Sequence, residues 1–383
     1  MKVALVYDRV NKWGGAERVL LALHELFPNA TLYTSVYDKN KAAWAKVFDI
    51  KTSFLQKLPF ASSNHELLAP FMPLAFESFT FDEFDLVISV TSEAAKGIIT
   101  KPGTIHICYC LTPTRYLWSG YEEYFKNAGL KVLTTPIVSS LRKWDLIASL
   151  RPDAYIGISK EVQSRIKKYY GRDSELVYPP VTLSPARRTG SPTSLENPKS
   201  EYRNPKQIQN TKYKIKNNSY FLVVSRLSKF TKYKRIDLVI KAANKLKVPL
   251  KIIGEGSWRM DLEEMAGPSV EFVGAVSDAE LIEYYKNCKA LIFPGLEDFG
   301  LSMVEAQRFG KPVIAFRGGG AAEIVSDEKT GLFFDEQNAD SLVDVINKFE
   351  KIKFDPKVCI QNAERFSFDN FKKNFLSVVN KLI

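Results

Sequence analysis

The chain has 383 residues, of which 45% are hydrophobic and 25% charged, with 54 Lys and Arg against 43 Asp and Glu. This length predicts two domains of ordinary size, and the composition excludes a disordered chain or a fibre. The net charge of +11 is concentrated between Ser184 and Arg235, a window with 13 basic and two acidic residues. Since the rest of the chain is balanced, no nucleic-acid partner is indicated.

The cysteines and histidines give no sign of a metal centre. The four cysteines lack the C-x-x-C spacing of a zinc site, and the three histidines have no metal-binding spacing. The first residues, MKVALVYDR, run directly into a strand pattern, so no signal peptide is expected. No apolar run reaches the ~18 residues of a transmembrane helix. We expect a reduced, cytoplasmic protein, with peripheral contact at the inner membrane face left open.

Short apolar runs alternate with helical patterns through the first half of the chain. Apolar residues at spacings of three and four predict helices at Ala16–Phe27 and Lys160–Tyr170. The runs that predict buried strands are Val3–Tyr7, Leu86–Val90, Ile105–Cys110, Ala154–Ile158 and Leu176–Tyr178.

The second half repeats this alternation. Its predicted strands are Tyr220–Val224, Leu250–Ile253, Val270–Val273, Ala290–Phe293 and Val313–Phe316. Its predicted helices are Asp237–Leu246, Asp278–Lys286, Ser302–Phe309 and a C-terminal amphipathic helix at Phe368–Ile383. Strands that alternate with helices predict an α/β protein with parallel sheets covered on both faces, and the length fits two such units.

The segment between the two halves, Ser184–Asn218, is rich in Ser, Pro, Asn, Thr and Lys and has almost no periodic apolar signal. It is typical of a solvated linker, which marks a domain boundary. We therefore predict an N-terminal domain at 1–183, a basic linker at 184–218 and a C-terminal domain at 219–367. The helix at 368–383 is expected to complete the first domain.

The most informative stretch is PGLEDFGLSMVEAQRFGKPVIA, Pro294–Ala315. A predicted strand ends at Phe293, a loop with Gly295 and Gly300 follows, and a helix is expected from Ser302. Glycines permit close backbone approach, and the free N–H groups at a helix start form an anion site.

Two carboxylates, Glu297 and Glu305, flank this helix start with seven residues between them. Carboxylates are poor phosphate ligands, but they suit sugar hydroxyls, which need strong acceptors. For Glu305 a structural alternative is equally supported, because Ser302 to Glu305 has the S-x-x-E spacing of a capping box. Glu297 precedes the helix and has no comparable structural role.

A second constellation is SRLSKFTKYKRID, Ser225–Asp237, which follows a predicted strand. Arg226, at the carboxyl end of that strand, is expected in the crevice where open α/β sheets bind ligands. Arg226 and Lys234 can together neutralise a diphosphate leaving group. For Lys229 and Lys232 we favour a solvated basic loop.

Three further segments are less specific. GGAER at Gly14–Arg18 can receive a phosphate or an acceptor hydroxyl, and GGGAAEIV at Gly318–Val325 is a glycine turn before Glu323. The apolar segment Leu67–Phe81 is expected in the core, with contact to a lipid-linked acceptor as the alternative.

These motifs together resemble the family 4 glycosyltransferases, which are retaining enzymes of the GT-B architecture that use a nucleotide sugar. GGAER, SRL…YKRID, IIGEGSWR, FVGAVSD, PGLEDFG…VEAQRFGKPVIAFRGGG and TGLFF occur in the family's order and span nearly the whole chain. EDFG…VEAQ together with CYC-x-TP-x-RYLW looks most like the mannosyltransferase branch of surface polysaccharide assembly. The resemblance implies two Rossmann-like, doubly wound domains facing across a cleft, a hexose donor with mannose favoured, and a glycan or lipid-linked acceptor.

The resemblance also implies roles for individual residues. Arg226 and Lys234 hold the donor diphosphate, Glu297 contacts donor sugar hydroxyls, and Glu305 accepts hydrogen bonds from the ribose. The other residues implied are Phe299, Gly300 and Leu301 at the donor sugar, Gly274, Ala275 and Val276 at the nucleobase, Gly15 at the phosphates and acceptor, and Thr112 and Arg115 on the acceptor and sugar side. No metal or other cofactor is implied.

The sequence departs from the family pattern at two places. The family often has C-x-H-T-P, whereas this chain has Leu111 in place of the histidine, which keeps open a degenerate, non-catalytic sugar-nucleotide-binding protein. The gap between the phosphate-binding Arg and Lys is longer than usual, so Lys232 or Lys229 is an alternative to Lys234. A sugar-nucleotide epimerase of the same architecture is the other rival.

Overall fold

The computed structural model describes residues 1–59, 65–125, 128–181 and 220–383. The chain divides into two compact units, Met1–Thr182 with Phe366–Ile383, and Leu183–Arg365. The predicted basic linker at 184–218 lies outside the described residues.

The first unit is built on a seven-stranded sheet in which every described pair of neighbouring strands is parallel. Its strands are β1 (Val3–Tyr7), β2 (Thr31–Thr34), β3 (Ile50–Thr52), β4 (Leu86–Thr91), β5 (Ile105–Cys110), β6 (Ala154–Gly157) and β7 (Glu175–Leu176). Their order across the sheet is β3-β2-β1-β4-β5-β6-β7. The central strands β1 and β4 are buried along their whole length, as their apolar runs predict for a parallel sheet covered on both faces.

The helices of the first unit lie between these strands. They are α1 (Gly15–Leu26), α2 (Met72–Glu77), α3 (Tyr121–Tyr124), α4 (Ala128–Ala148) and α5 (Lys160–Tyr170). The segment Leu67–Phe81 belongs mainly to the core, as predicted, because Met72, Phe76 and Phe81 are buried in one apolar cluster. Phe71 and Leu74 in the same segment are exposed.

The second unit has a six-stranded parallel sheet of order β10-β9-β8-β11-β12-β13. Its strands are β8 (Phe221–Val224), β9 (Leu250–Ile253), β10 (Val270–Gly274), β11 (Ala290–Phe293), β12 (Val313–Phe316) and β13 (Gly331–Phe334). This is the strand order of a Rossmann sheet, in which the direction of winding reverses between β8 and β11. Ligands of such sheets bind outside the carboxyl ends of the strands at that reversal.

Seven helices accompany the second sheet in the described part of this unit. They are α6 (Ile236–Leu246), α7 (Arg259–Met265), α8 (Asp278–Asn287), α9 (Leu301–Arg308), α10 (Ala321–Ile324), α11 (Ala339–Phe349) and α12 (Pro356–Ala363). One apolar cluster joins strand residues such as Phe221 and Ile292 to helix residues such as Ile240 and Leu342. Burial of these apolar faces positions the strand ends that carry the candidate site.

The C-terminal helix α13 (Phe368–Asn380) packs on the first unit rather than the second. The ring of Phe375 lies 6.3 Å from that of Tyr109 on β5 and 6.4 Å from that of Phe27, and Lys381 pairs with Glu175 at 2.9 Å. The predicted fold class, two Rossmann-like doubly wound parallel-sheet units, is confirmed.

Candidate active site

Two chemically informative segments follow the strands at which the second sheet reverses direction. Arg226 comes two residues after β8, and the loop that contains Glu297 follows β11. β8 and β11 are neighbours and run in the same direction. Their carboxyl ends therefore lie at the same edge of the sheet, where the strand order predicts a ligand crevice.

The loop that carries Arg226 is fixed by backbone hydrogen bonds to the turn after β9. Ser225 N donates to Ile253 O, Leu227 N donates to Glu255 O and Trp258 N donates to Leu227 O, at 2.9, 2.9 and 2.8 Å. The Arg226 side chain is exposed and makes no hydrogen bond or ion pair with a described residue. A guanidinium on a rigid loop is suited to binding an anion in two-point geometry.

The ammonium group of Lys234 lies 2.8 Å from Glu297 Oε1, and the side chains are only 15% and 21% exposed. This approach requires glycine at position 295, because a Cβ there would lie 2.8 Å from the Cα of Lys234. The structure thus places together the two residues that the sequence assigns to the diphosphate and the sugar. No comparison tests these assigned roles, which stay predictions.

The other two lysines of the basic loop have different neighbours. Lys229 pairs with Asp261 at 3.1 Å, and both side chains are about half exposed. The ammonium group of Lys232 lies 5.4 Å from the ring centroid of Trp258. Of the three lysines, Lys234 is the one in contact with Glu297, which favours it as the diphosphate ligand.

The loop with Glu297 is held at two of its carbonyl groups. Gly320 N donates to Glu297 O at 2.9 Å, and the Gln337 side chain donates to Pro294 O at 2.9 Å. Helix α9 begins directly after Gly300, whose φ of 103° favours glycine. The N–H groups of the first two residues of α9, Leu301 and Ser302, precede the first intrahelical hydrogen bond and suit an anion.

Glu305 lies on α9 and is buried, and it accepts a hydrogen bond of 2.7 Å from the hydroxyl of Tyr285. The capping-box alternative for Glu305 is wrong, since Gly300 is the N-cap and Ser302 is the second residue of the helix. Tyr285 was missed by the sequence analysis because it has the ordinary spacing of a buried residue on α8. Nothing in the sequence alone marks its hydroxyl.

The predicted nucleobase segment, Gly274–Val276, begins at the last residue of β10. Gly254 N donates to Gly274 O at 2.9 Å, which ties this segment to the turn after β9. That same turn holds the Arg226 loop. The segment therefore lies at the same edge of the second sheet as Arg226 and Glu297.

The remaining predicted residues belong to the first unit. Gly15 is the first residue of α1, and Glu17 in the first turn is buried and accepts a 2.7 Å hydrogen bond from the Tyr7 hydroxyl. Thr112 is buried, and its hydroxyl lies 3.3 Å from Nη1 of Arg165. Arg115 is half-buried at the turn that follows β5.

Leu111, at the position of the family histidine, directly follows β5. It is half-buried, and its N–H donates to Thr91 O at 2.8 Å. Its side chain supplies no hydrogen-bond donor at this strand end.

A buried carboxylate that the sequence analysis missed organises the carboxyl ends of β1 and β4. Asp8 accepts hydrogen bonds from the Thr91 hydroxyl and from the backbone N–H groups of Ser92, Ala94 and Ala95, at 2.8 to 3.1 Å. Burial, followed by the nearby charge of Glu93, raises the pKa of Asp8 despite these hydrogen bonds. Asp8 therefore fixes the turn after β4, and a polar residue directly after a buried strand was the available signal.

No group of three or more His, Cys, Asp or Glu side chains in residues 1–59, 65–125, 128–181 and 220–383 could hold a metal ion. The expected absence of a metal requirement stays a prediction.

Comparison with known families relates the second unit to glycosyltransferases. Residues 205–366 match the family model described as glycosyl transferases group 1. The matched range contains the Arg226, Lys234, Glu297 and Glu305 positions.

Curated relatives match part of the chain. An O-antigen chain mannosyltransferase C of Escherichia coli is 26% identical over 139 residues, covering 34% of this chain and 37% of the relative. An alpha-1,3/1,6-mannosyltransferase of Dictyostelium discoideum is 39% identical over 105 residues, covering 25% of this chain and 24% of the relative. An uncharacterized glycosyltransferase of Methanocaldococcus jannaschii is 30% identical over 143 residues, covering 36% of this chain and 41% of the relative. The chain therefore spans less than half the length of each of these three relatives.

Solved structures match the whole chain. Anabaena HepE in complex with UDP-glucose is 18% identical with a TM-score of 0.68, and the match covers 100% of both chains. The apo lipopolysaccharide outer core galactosyltransferase WaaB is 19% identical with a TM-score of 0.63, again over 100% of both chains. The predicted resemblance to glycosyltransferases of the GT-B architecture is therefore confirmed at the level of the fold and of the C-terminal family match.

Proposed function

We propose that the protein is a retaining glycosyltransferase of family 4. It moves a hexose from a nucleotide-diphosphate sugar to a glycan or lipid-linked saccharide in surface polysaccharide biosynthesis. The observation that carries this proposal is the convergence of Arg226, Lys234 and Glu297 at the reversal point of the second sheet. All three lie in the range that matches glycosyl transferases group 1.

The cations lower the barrier by stabilising charge on the leaving group. When the anomeric C–O bond breaks, the electron pair stays on the diphosphate, and Arg226 and Lys234 neutralise it. The acceptor hydroxyl attacks the face of the sugar from which the diphosphate leaves, and its proton passes to a phosphate oxygen of the departing diphosphate. The new C–O bond therefore forms on the same face as the broken one, and the anomeric configuration is retained. Positioning and preorganised charge supply the rate enhancement without an enzymic nucleophile.

The carboxylates serve binding rather than proton transfer in this proposal. Glu297 accepts hydrogen bonds from sugar hydroxyls, and the backbone N–H groups of Phe299, Gly300 and Leu301 supply donors beside it. Glu305, held by Tyr285, accepts hydrogen bonds from the ribose. No metal takes part.

Mannose, carried by GDP, is the favoured sugar. Two of the relatives are named as mannosyltransferases, which supports this choice. Anabaena HepE is named in complex with UDP-glucose, so UDP-glucose is the first competitor to compare.

A second candidate function rests on Leu111, which supplies no hydrogen-bond donor where the family often has a histidine. In that case the protein binds nucleotide sugar without transferring the sugar. The substitution Leu111→His separates the two functions. In a non-catalytic binder it should produce sugar transfer that the wild type lacks, whereas in an active enzyme it should only change the rate of transfer.

We place the protein in the cytoplasm with peripheral contact to an anionic membrane. No helix in the described part of the chain combines the length and the hydropathy that crossing a bilayer requires.

A donor screen tests the proposed function. Calorimetric titration with GDP-mannose, UDP-glucose and UDP-galactose identifies the donor, and transfer to extracted lipid-linked saccharides is then followed with radiolabelled sugar. NMR of the product reports the anomeric configuration, and inversion would contradict the retaining mechanism. The absence of binding by any nucleotide sugar would exclude both candidate functions.

A further inference from the structure

The first sheet, like the second, reverses its direction of winding, here between β1 and β4. A ligand crevice is therefore expected outside the carboxyl ends of these two strands. The loop after β1, residues 8–14, begins at that edge and leads into α1. The side chains that this loop exposes are placed to meet a ligand of the first unit.

The loop after β1 exposes an indole ring. Of the five tryptophans, all of which lie in the described part of the chain, Trp13 is the exposed one, at 46%. Its ring lies 6.0 Å from that of Trp44 at an interplanar angle of 54°. The guanidinium carbon of Arg18 lies 6.0 Å from the centroid of the same ring. An exposed indole between two such neighbours presents a large apolar face in a fixed orientation.

Hydrogen bonds fix the backbone of the same loop. Val10 joins it to the loop after β2, because Val10 N donates to Val36 O at 3.0 Å. The indole N–H of Trp44 donates to Lys12 O, directly before Trp13, at 2.7 Å. The residue that flanks the Trp13 ring therefore also anchors its backbone, so that a ligand on this ring has little loop motion to arrest.

The start of α1 is less suited to an anion than the start of α9. Glu17, in the first turn of α1, is buried, and its Oε1 accepts the hydrogen bond from the Tyr7 hydroxyl. Its Oε2 lies close to the loop, since a Cβ on Gly14 would be 3.0 Å from this oxygen. The carboxylate offsets the positive end of the helix, whereas the first turn of α9 has no acidic residue. The loop after β1 therefore suits the hydroxyls of a neutral ligand better than a phosphate.

We propose that Trp13 is the stacking platform for a pyranose ring of the saccharide acceptor. The inference rests on the proposed function, which requires an acceptor, and it assigns one sugar of that acceptor to a named side chain. The C–H face of the pyranose packs on the indole, and the guanidinium N–H groups of Arg18 donate to its hydroxyls. Trp13 thus determines the affinity for the acceptor and leaves the affinity for the nucleotide sugar to the second unit.

Tryptophan fluorescence and calorimetry of the full chain with mannotriose, maltotriose and chitotriose test this platform. We expect at least one trisaccharide to bind the wild type and to change its emission. Trp13→Ala should weaken that binding about tenfold, because the stacking surface is lost. Trp13→Phe should weaken it less than about threefold but remove most of the emission change, since an aromatic face remains while the fluorescent reporter is gone.

Phe71→Ala is the matched control, because Phe71 is an aromatic residue of the same unit that is 52% exposed, on the segment before α2. It should leave trisaccharide binding unchanged, and circular dichroism shows that each variant is folded. Failure of all three trisaccharides to bind the wild type, or equal binding by Trp13→Ala, would overturn the proposal. Competition of inorganic phosphate with the trisaccharide would also overturn it, since the loop would then be an anion site.

Calorimetry with GDP-mannose, UDP-glucose and UDP-galactose keeps this proposal apart from the proposed function. Trp13→Ala should bind the nucleotide sugar as the wild type does, while its KM for the acceptor in the transfer assay rises about tenfold. Trisaccharide binding at Trp13 without binding of any nucleotide sugar would leave the saccharide platform standing and remove the transferase. Sugar transfer by Trp13→Ala with an unchanged KM for the acceptor would do the reverse.

Discussion

Lys234 and Glu297 are 63 residues apart in the chain, and yet the ammonium nitrogen of the first lies 2.8 Å from a carboxylate oxygen of the second. The pair joins the loop after β8 to the loop after β11. A diphosphate that binds Lys234 must therefore share the positive charge of this lysine with the carboxylate of Glu297. The pair couples the two halves of the proposed donor site.

The first prediction follows from this shared lysine. Glu297→Gln should slow sugar transfer at least tenfold, because it removes a strong acceptor for sugar hydroxyls. The same variant should bind the bare nucleoside diphosphate severalfold more tightly, since a negative charge beside the phosphates is removed. Calorimetry and initial rates measure the two effects, and a parallel loss of both would show that Glu297 only supports the loop.

A second prediction separates Arg226 from its basic neighbours. Arg226→Ala should lower kcat by ~10²-fold, because a preorganised cation at the leaving group is lost. Lys229→Ala is the matched control, since Lys229 pairs with Asp261 at the surface, and we expect it to change kcat less than twofold. Equal effects of the two substitutions in a transfer assay would contradict the assignment of Arg226.

A third prediction concerns Glu305 and its tyrosine. Glu305→Gln should weaken nucleoside diphosphate binding about tenfold, because a charged acceptor for ribose hydroxyls becomes a neutral one. Binding of inorganic pyrophosphate, which has no ribose, should be unchanged. Tyr285→Phe should also weaken nucleoside diphosphate binding, but less. It removes the hydroxyl that donates to a carboxylate oxygen of Glu305 and holds this side chain in place. An equal loss of pyrophosphate affinity would indicate a structural role for Glu305.

The strands that the sequence predicts well are those buried on both faces. Val3–Tyr7, Ile105–Cys110, Leu250–Ile253, Ala290–Phe293 and Val313–Phe316 are predicted with the bounds that the structure has. Among the strands of the described residues, three are missed. β2 and β3 are short and lie toward one edge of the first sheet, where the apolar run is weak. β13 is also short, and it begins with Gly331, a residue type that is rare in strands.

The candidate site is predictable in part because its residues follow strand ends in sequence. The positions of Arg226 and Glu297 need only the strand order of a parallel sheet. The Lys234 pairing was not predictable, since it depends on the path of two short 3₁₀ turns that meet at a kink at Thr231, and on the close approach at Gly295. Asp8 and Tyr285 likewise act through tertiary hydrogen bonds that periodicity does not encode.

A fourth prediction concerns the stability of the first unit, where Lys96 and Asp145 form a buried ion pair. Burial alone would lower the pKa of Lys96, but the charge and hydrogen bond of Asp145 raise it overall. Lys96→Met should lower the free energy of unfolding by roughly 3 to 5 kcal/mol, because Asp145 is left buried without its counter-ion. Adding Asp145→Asn should recover part of this loss.

Urea unfolding followed by tryptophan fluorescence measures this effect, since four of the five tryptophans (Trp13, Trp44, Trp118 and Trp144) lie in the first unit. Lys167→Met is the control, because the Lys167–Asp173 pair is exposed and should leave the unfolding midpoint almost unchanged. Additive effects of Lys96→Met and Asp145→Asn would show that the two groups do not interact.

The last prediction concerns pH and His106, which is fully buried on β5 with Nε2 2.9 Å from the Ser89 hydroxyl. Burial, assisted by the charge of Arg151, lowers the pKa of His106 to about 3. Between that value and the ordinary value near 6.5, the unfolded chain binds a proton that the folded chain does not, so stability falls as pH falls. At pH 5 this loss amounts to about 2 kcal/mol relative to neutral pH. A His106→Gln variant lacks this proton uptake. Its free energy of unfolding should therefore approach or exceed that of the wild type as pH falls from 7.5 to 5. A difference between the two proteins that stays constant with pH would contradict the prediction.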